Sequence, residues 1–184
     1  MNSIASFSDQ REEMVRKQVM ARGVVDRHVL AAMREVPREV FVGDRYHEFA
    51  YEDSPLPIEE GQTISQPYIV ALMIEAAHVR PGDNVLEIGA GSGYASAVLS
   101  RIAQHVHAIE WHRPLADVAR SRLRLLGYRN VTVLQGDGSI GCPAHAPFDV
   151  IIVSAGGPDV PEPLLRQLCI GGRLIIPDGH DPRT

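Results

Sequence analysis

The sequence predicts an α/β protein with a doubly wound, mainly parallel sheet, helices on both faces, and an N-terminal helical segment. Three observations indicate this class. Beyond Pro81 the pattern alternates strictly between apolar strand-like runs and helix-like runs, which is typical of right-handed crossovers between parallel strands. The run at 149–153 is very apolar, as expected for a central strand covered on both faces. A glycine-rich stretch, 89–93, directly follows the first run.

The segment before Pro81 is predicted to contain helices joined by irregular chain. Apolar spacing predicts a helix over 10–22 that ends at Gly23. Asp26 is a good N-cap for a second helix, which ends before Pro37. Residues 51–65 are predicted to form an ordered loop, and a third helix begins near Pro67. The apolar positions are Met14, Val15, Val19 and Met20 in the first helix, Val29, Leu30 and Met33 in the second, and Ile69, Met73, Ile74 and Ala77 in the third.

Five strands and three helices are predicted after Pro81. The strands are 84–88, 105–110, 131–134, 149–153 and 172–176, and the helices are 94–103, 114–126 and 161–168. We expect a single domain over 1–184, in which 1–80 is the N-terminal segment and 81–179 is the sheet core.

Composition and charge exclude several classes of protein. The chain has 184 residues, of which 45% are hydrophobic, so a disordered or low-complexity scaffold is excluded. The net charge of −5 shows no basic surplus, and we therefore expect no nucleic-acid partner. No apolar run approaches the ~20 residues that cross a bilayer, and no secretory leader is recognisable, so we expect no membrane partner. The two cysteines, Cys142 and Cys169, suit a reducing, cytoplasmic compartment.

The glycine stretch and an acidic residue after the second strand predict a nucleotide-like ligand. Ligands of doubly wound sheets bind at the carboxyl ends of strands where the strand order reverses. Gly89, Gly91 and Gly93 let the backbone turn sharply and approach a ligand. The carboxylate of Glu110 can accept hydrogen bonds from both hydroxyls of a ribose. The alternative without a ligand is a tight strand–helix turn.

The spacing leaves two cofactors open, a nicotinamide nucleotide and S-adenosylmethionine. Glu87, two residues before Gly89, and the G-x-G-x-G spacing together form the usual pattern of class I methyltransferases. A third ligand-like feature is Asp137-Gly138, after the third strand. Its carboxylate can accept from an adenine amino group, although an ordinary Asp-Gly turn explains the pair equally well.

Two other clusters are predicted to have no special chemistry. His105 and His107 share one face of the second strand and His112 follows it, and no further ligand is near in sequence. We therefore expect no metal site and histidines that lie at an edge or face solvent. A basic run, Arg120, Arg122 and Arg124, is predicted to be a solvated helix face, with a weak acidic contact as the alternative.

At this point the sequence closely resembles the protein-L-isoaspartate O-methyltransferases. The resemblance extends over about residues 10–179, and the TISQP segment at 63–67 is its most particular element. The matching stretches, in family order, are 36–42 (VPREVFV), 61–67 (GQTISQP), 85–94 (VLEIGAGSGY), 136–138 (GDG), 147–153 (PFDVIIV) and 171–177 (GGRLIIP).

The resemblance implies a Rossmann-like fold and methyl transfer from S-adenosylmethionine to an isoaspartyl carboxylate, yielding S-adenosylhomocysteine, as a step in protein repair. Ser65 matches the family's active-site serine. A carboxylate is already ionised at neutral pH and needs no strong base, so Ser65 is expected to orient it. The alternative for Ser65 is an N-cap of the third helix. The expected cofactor-binding residues are Ile64, Gln66, Glu87, Gly89, Gly91, Glu110, Asp137 and Gly138.

The chain departs from the family pattern near its C-terminal end. Family members continue past the turn at 177–179 into further strands, so we expect a sheet without them. Two alternatives follow: a related methyltransferase with a different carboxylate acceptor, or a catalytically silent cofactor-binding module. We expect a monomer whose partners are isoaspartyl proteins or peptides.

Overall fold

The computed structural model describes residues 6–154 and 160–177. Its main sheet has five strands, all parallel, in the order β5-β4-β3-β6-β7. The bounds of these strands are β3 (Asn84–Ile88), β4 (His105–Glu110), β5 (Val131–Gln135), β6 (Phe148–Val153) and β7 (Leu168–Ile175). A small antiparallel hairpin precedes them, with β1 (Leu56–Pro57) and β2 (Thr63–Ile64).

Six α-helices accompany the strands within the described residues. They are α1 (Phe7–Met14), α2 (Arg27–Glu35), α3 (Pro67–Ala76), α4 (Tyr94–Ser100), α5 (Arg113–Leu125) and α6 (Glu162–Leu165). None of them is long and apolar enough to cross a membrane. The predicted α/β class with a parallel sheet is confirmed, and the predicted bounds of β3 and β4 are matched residue for residue.

The largest difference from the prediction lies between α6 and β7. The predicted helix over 161–168 is only four residues long, and β7 begins at Leu168 rather than 172. Gln167 explains the early end, because its side-chain amide donates to the carbonyls of Ile140 and Pro163 at 2.8 and 3.0 Å. The same side chain accepts from the N–H of Cys142 at 2.7 Å. The bonds to Ile140 and Cys142 tie the chain to the segment before β6, and the bond to Pro163 closes the end of α6.

Strand order reverses at β3, which has β4 on one side and β6 on the other. The crossover from β3 to β4 contains α4, and the crossover from β4 to β5 contains α5. The chain then returns past β3 to β6. The carboxyl ends of β3 and β6 therefore border a crevice, which is where doubly wound sheets bind ligands.

The two faces of the sheet are covered unevenly. One face packs against α4, α5 and the N-terminal helices in one apolar cluster, to which Val85, Val106 and Val150 belong. The other face packs into a smaller cluster with Leu164 of α6, and short 3₁₀ turns at 138–140 and 143–145 accompany it. Helices on both faces were predicted, and in the described residues the second face carries one short α-helix, α6, and the two 3₁₀ turns.

The N-terminal segment has the predicted order of helices, but the predicted ordered loop over 51–65 contains the β1–β2 hairpin. Helix α1 continues as one π turn and one 3₁₀ turn, which end at Gly23 in a left-handed conformation with φ of 99°. Asp26 caps α2 by accepting from the N–H groups of His28 and Val29. Met20, one of the apolar positions of the predicted helix, is 42% exposed, whereas Met14, Val15 and Val19 are buried.

The N-terminal segment and the sheet core share one apolar interior. Phe41 of the N-terminal segment stacks edge-on against Tyr94 of α4, with ring centroids 5.6 Å apart. Arg38 is fully buried beside them, donating from Nε to the carbonyl of Ala50 at 2.8 Å with its guanidinium 4.9 Å from the Tyr94 ring. Burial lowers the pKa of Arg38.

Candidate active site

Two connected cavities lie at the carboxyl ends of β3 and β6. The larger, of about 670 Å³, falls within the size range of small-molecule sites. The smaller, of about 60 Å³, extends behind the glycine loop towards Glu87. Both cavities are lined by Thr63, Ser65, Gly89, Gly91 and Ser154, so one ligand can occupy the two together.

The glycine loop between β3 and α4 is held by the end of β4. Gly89, Gly91 and Gly93 all have positive φ angles, of 89°, 52° and 87°, a backbone conformation that other residues adopt at a cost. The N–H groups of Gly89 and Ala90 donate to the carbonyl of Ile109 at 2.8 and 3.1 Å. The sequence pattern of three glycines is therefore required by the turn itself.

Glu110 lies at the end of β4, only 5% exposed, and braces this loop. Its Oε2 accepts from the N–H of Gly91 and its Oε1 accepts from the N–H of His112, both at 2.9 Å. Each oxygen has a second lone pair, so the carboxylate can hold both backbone segments and still accept from a diol in the larger cavity. The ribose-binding role of Glu110 stays a prediction.

Glu87 is fully buried within β3, and its environment is unusual for a carboxyl group. Its strand neighbours in register are Ala108 and Ile152, both apolar. Ser96 donates its hydroxyl to Oε2, whereas Oε1 is buried with no hydrogen-bond partner among the described residues. Burial raises the pKa of Glu87 to about 8, and the nearby Glu110 carboxylate raises it as well.

The segment after β5 contributes Gly138 rather than Asp137 to the cavity wall. The Asp137 carboxylate is exposed and accepts from both the N–H and the hydroxyl of Ser139, at 2.9 and 2.7 Å. Those bonds lower its pKa. Gly138 and Ser139 line the larger cavity. A Cβ at Gly138 would clash with the side chain of Ile88, so only glycine fits beside this wall.

Ser65 is half-buried and lines both cavities. The N-cap of α3 is Gln66, whose side chain makes no capping bond, so the N-cap alternative for Ser65 does not hold. Within the described residues the Ser65 hydroxyl has no hydrogen-bond partner. Ile64 is buried and lines the smaller cavity, whereas Gln66 lines neither cavity.

Two residues have positions at the site that the sequence did not reveal. Trp111 follows Glu110, lines the larger cavity and is 63% exposed. Arg122 was predicted to lie on a solvated face, but its Nη1 donates to the carbonyl of Ser92 in the glycine loop at 2.8 Å. The sequence could have indicated Trp111, because it directly follows Glu110, the acid predicted to bind a ribose. Arg122 had none, because its partner lies 30 positions away.

The histidines form a stack away from the cavities, on the thinly covered sheet face. His105 and His107 share a face as predicted, with ring centroids 4.5 Å apart, and His145 stacks on His107 at 4.1 Å. The expectation that these rings face solvent is wrong for His107, which is 8% exposed because His145 and Phe148 cover it. No group of His, Cys, Asp or Glu in the described ranges is arranged to hold a metal ion.

These features together define a class of protein. A parallel sheet in this order, a G-x-G-x-G loop after its central strand and an acidic residue ending the next strand are those of a class I, S-adenosylmethionine-dependent methyltransferase. The chain belongs to the protein-L-isoaspartate(D-aspartate) O-methyltransferase family, whose model matches residues 9–183.

Curated relatives agree with this family. The chain is 61% identical to protein-L-isoaspartate O-methyltransferase 2 of Pelobacter propionicus, over 96% of this chain and 79% of that protein. It is 53% identical to protein-L-isoaspartate O-methyltransferase 1 of Geotalea uraniireducens, over 99% of this chain and 83% of that protein.

Solved structures of the same family superpose on this chain. A protein-L-isoaspartate O-methyltransferase structure superposes with a TM-score of 0.84 and 38% identity, covering 91% of this chain and 55% of that one. A Plasmodium falciparum structure, described as a beta-aspartate methyltransferase in complex with S-adenosyl-L-homocysteine, gives a TM-score of 0.80. It is 24% identical and covers 94% of this chain and 85% of that one, a likeness that shows the fold.

Proposed function

We propose that this chain transfers the methyl group of S-adenosylmethionine to the free carboxylate of L-isoaspartyl residues in proteins and peptides. The observation that carries the proposal is Ser65, whose hydroxyl lies on the wall shared by the two cavities and has no partner among the residues that the structure describes. The named activity of the curated relatives supports the same reaction.

The residues present fit the cofactor. Glu110 is placed to accept from its ribose hydroxyls, while Gly138 and Ile88, packed against each other, form the wall of the larger cavity beside which its base would lie. The indole of Trp111 offers an exposed aromatic surface at the same end of the larger cavity. Glu87 supplies an unpaired buried acceptor in the smaller cavity. Gly89, Gly91 and Ile64 complete the wall, whereas Asp137 and Gln66 act through the backbone segments that carry them.

Methyl transfer requires this chain to align the carboxylate with the methyl group and does not require a strong base. Bound S-adenosylmethionine would supply an electrophilic methyl group on a positively charged sulfur. An isoaspartyl carboxylate is ionised at neutral pH and is already a nucleophile. Ser65 donates a hydrogen bond to one carboxylate oxygen and leaves the other free to attack. Orientation of this kind can contribute up to ~7–11 kcal/mol to a barrier.

We also propose an oligomeric state, a domain organisation and a cellular compartment for this chain. We propose that the enzyme is a monomer. We take 1–184 as one domain, with 81–179 holding the cofactor, because one apolar cluster joins both parts. Cys142 and Cys169 are both free thiols, which supports a reducing, cytoplasmic compartment. A net charge of −5 supports the absence of nucleic-acid partners.

The test uses two peptides that differ only in the linkage of one aspartyl residue. Incubation with S-adenosylmethionine labelled in its methyl group should label the isoaspartyl peptide and leave the aspartyl peptide almost unlabelled. Equal labelling of both would refute the acceptor specificity. Binding of S-adenosyl-L-homocysteine without labelling of either peptide would refute the activity and favour the silent cofactor-binding module.

A further inference from the structure

Two serines on different elements border the opening between the two cavities. Ser65 follows β2, and Ser154 follows β6, the strand that pairs with β3. Both side chains are half-buried and line both cavities, and neither hydroxyl has a hydrogen-bond partner among the residues that the structure describes. The structural features that point to Ser65 are therefore present a second time, at Ser154.

The sheet fixes the position of Ser154. Its N–H donates to the carbonyl of Ile88 at 2.8 Å, so the pairing of β6 with β3 continues up to the glycine loop. Side chains alternate along β6, and as a result Ile152 lines the smaller cavity and Val153 lines the larger one. Ser154 comes next, at the end of the strand, and lines both.

An acceptor carboxylate in this opening has no lysine or arginine to pair with. Within the described ranges no such residue lines either cavity, whereas the acids Glu87 and Glu110 do. A carboxylate taken out of water needs hydrogen bonds to several of its lone pairs. The side-chain donors that line both cavities are Thr63, Ser65 and Ser154. Thr63 is exposed and lies on the same segment as Ser65, so Ser154 is the donor from a separate element.

We propose that Ser154 is a second donor to the acceptor carboxylate, and that it and Ser65 together fix the plane of that carboxylate. A carboxylate can rotate about one hydrogen bond, whereas two donors from separate elements leave it a single orientation. Neither serine gives up its proton. The inference rests on the proposed function, since its ligand is the isoaspartyl carboxylate. It assigns to Ser154 the recognition of the acceptor and no part in holding the cofactor.

The first experiment measures binding without turnover. An isoaspartyl peptide is titrated by calorimetry into the chain saturated with S-adenosyl-L-homocysteine. Ser154→Ala should weaken peptide binding about ten- to hundredfold and leave the affinity for S-adenosyl-L-homocysteine unchanged. Ser121→Ala, a half-buried serine on α5 that lines neither cavity, is the matched control and should change neither affinity. Unchanged peptide binding, or an equal loss of affinity for both ligands, would overturn the inference.

An isosteric pair of variants separates the hydroxyl from the shape of the side chain. Ser154→Thr keeps a hydroxyl, and Ser154→Val has nearly the same shape without one. The kcat/KM for the isoaspartyl peptide should be about tenfold or more higher in the threonine variant than in the valine variant. Equal values in two variants with equal Tm would show that Ser154 only packs, and the inference would fail.

A double variant tests whether the two serines hold the same carboxylate. Ser65→Ala combined with Ser154→Ala should lose less peptide affinity than the product of the two single losses. The reason is that either hydroxyl alone holds a carboxylate that is already free to turn, so the second removal costs less than the first. A loss equal to the product would mean that the serines bind separate groups, which contradicts the shared carboxylate.

Failure of this inference is distinguishable from failure of the proposed function. Equal methylation of the isoaspartyl peptide by the wild-type chain and by Ser154→Ala would overturn the role of Ser154 and leave the methyl-transfer proposal intact. A wild-type chain that binds S-adenosyl-L-homocysteine but neither binds nor methylates the isoaspartyl peptide would refute the proposed function, and with it the ligand of Ser154.

Discussion

Ser65→Ala is the sharpest single test of the proposed chemistry. The Ser65 hydroxyl lines both cavities, has no partner in the described residues and does not cap α3. A hydrogen bond to a charged carboxylate contributes about 1.5–3 kcal/mol. Since 1.36 kcal/mol corresponds to tenfold in rate, kcat/KM for the isoaspartyl peptide should fall about 10- to 150-fold.

The same variant should leave stability and cofactor affinity unchanged. No bond is lost on removing the hydroxyl, so the free energy of unfolding should stay within about 0.5 kcal/mol of the wild type. Loss of an N-cap would instead cost about 1 kcal/mol and lower Tm by about 2–4 °C in a chain of this size. Ser121→Ala, on α5 and equally half-buried, is the matched control. An unchanged kcat/KM, or a loss explained by a lower Tm, would refute the reasoning.

Three further predictions concern the wall, the histidine stack and the tryptophan. Gly138→Ala should cost about 1–3 kcal/mol of stability and at least about tenfold in S-adenosyl-L-homocysteine affinity, because its Cβ clashes with Ile88. Gly82→Ala is the control, because a Cβ at Gly82 has no other atom within 4 Å. Equal effects of the two substitutions in calorimetry and thermal melts would contradict the clash. Burial lowers the pKa of His107 from 6.5 to about 4, with His145 and His105 adding to the shift. The unfolded chain therefore takes up the proton first, so stability falls between about pH 6.5 and pH 4, by on the order of 2 kcal/mol. Denaturant melts of His107→Leu should show a flatter pH dependence, and an unchanged slope would exclude His107 as its source. Trp111 is the only tryptophan and lines the larger cavity, so S-adenosyl-L-homocysteine should shift its fluorescence. If calorimetry detects binding and the emission spectrum of Trp111 does not change, Trp111 does not lie at the ligand site.

Local signals were enough to predict the strands that form the site. The apolar runs of β3 and β4 are bounded by loop residues, and their ends carry the glycines and Glu110 that the structure places together. The central position of Glu87 in an apolar strand was also visible. An acid there is a strong indication of a special role, because it costs more to bury than any of its neighbours.

Contacts between distant residues were not available from pattern alone. Arg122 was assigned to solvent because helix periodicity cannot show that the carbonyl of Ser92 lies within its reach. His107 was assigned to solvent because its cover, His145, lies 38 positions later in a turn without periodicity. The early end of α6 depends on Gln167 reaching three backbone groups, which no propensity encodes.

The shared interior of the two halves has a consequence for how the chain opens. Phe41 and Arg38 of the N-terminal segment pack against Tyr94 of the sheet core. Removing either half would therefore expose apolar surface of the other half and take away packing around the buried guanidinium of Arg38. We therefore expect amide protons on α2 and on β4 to exchange with one common opening free energy. A fragment that starts at Pro81 should be aggregation-prone rather than a free-standing cofactor module.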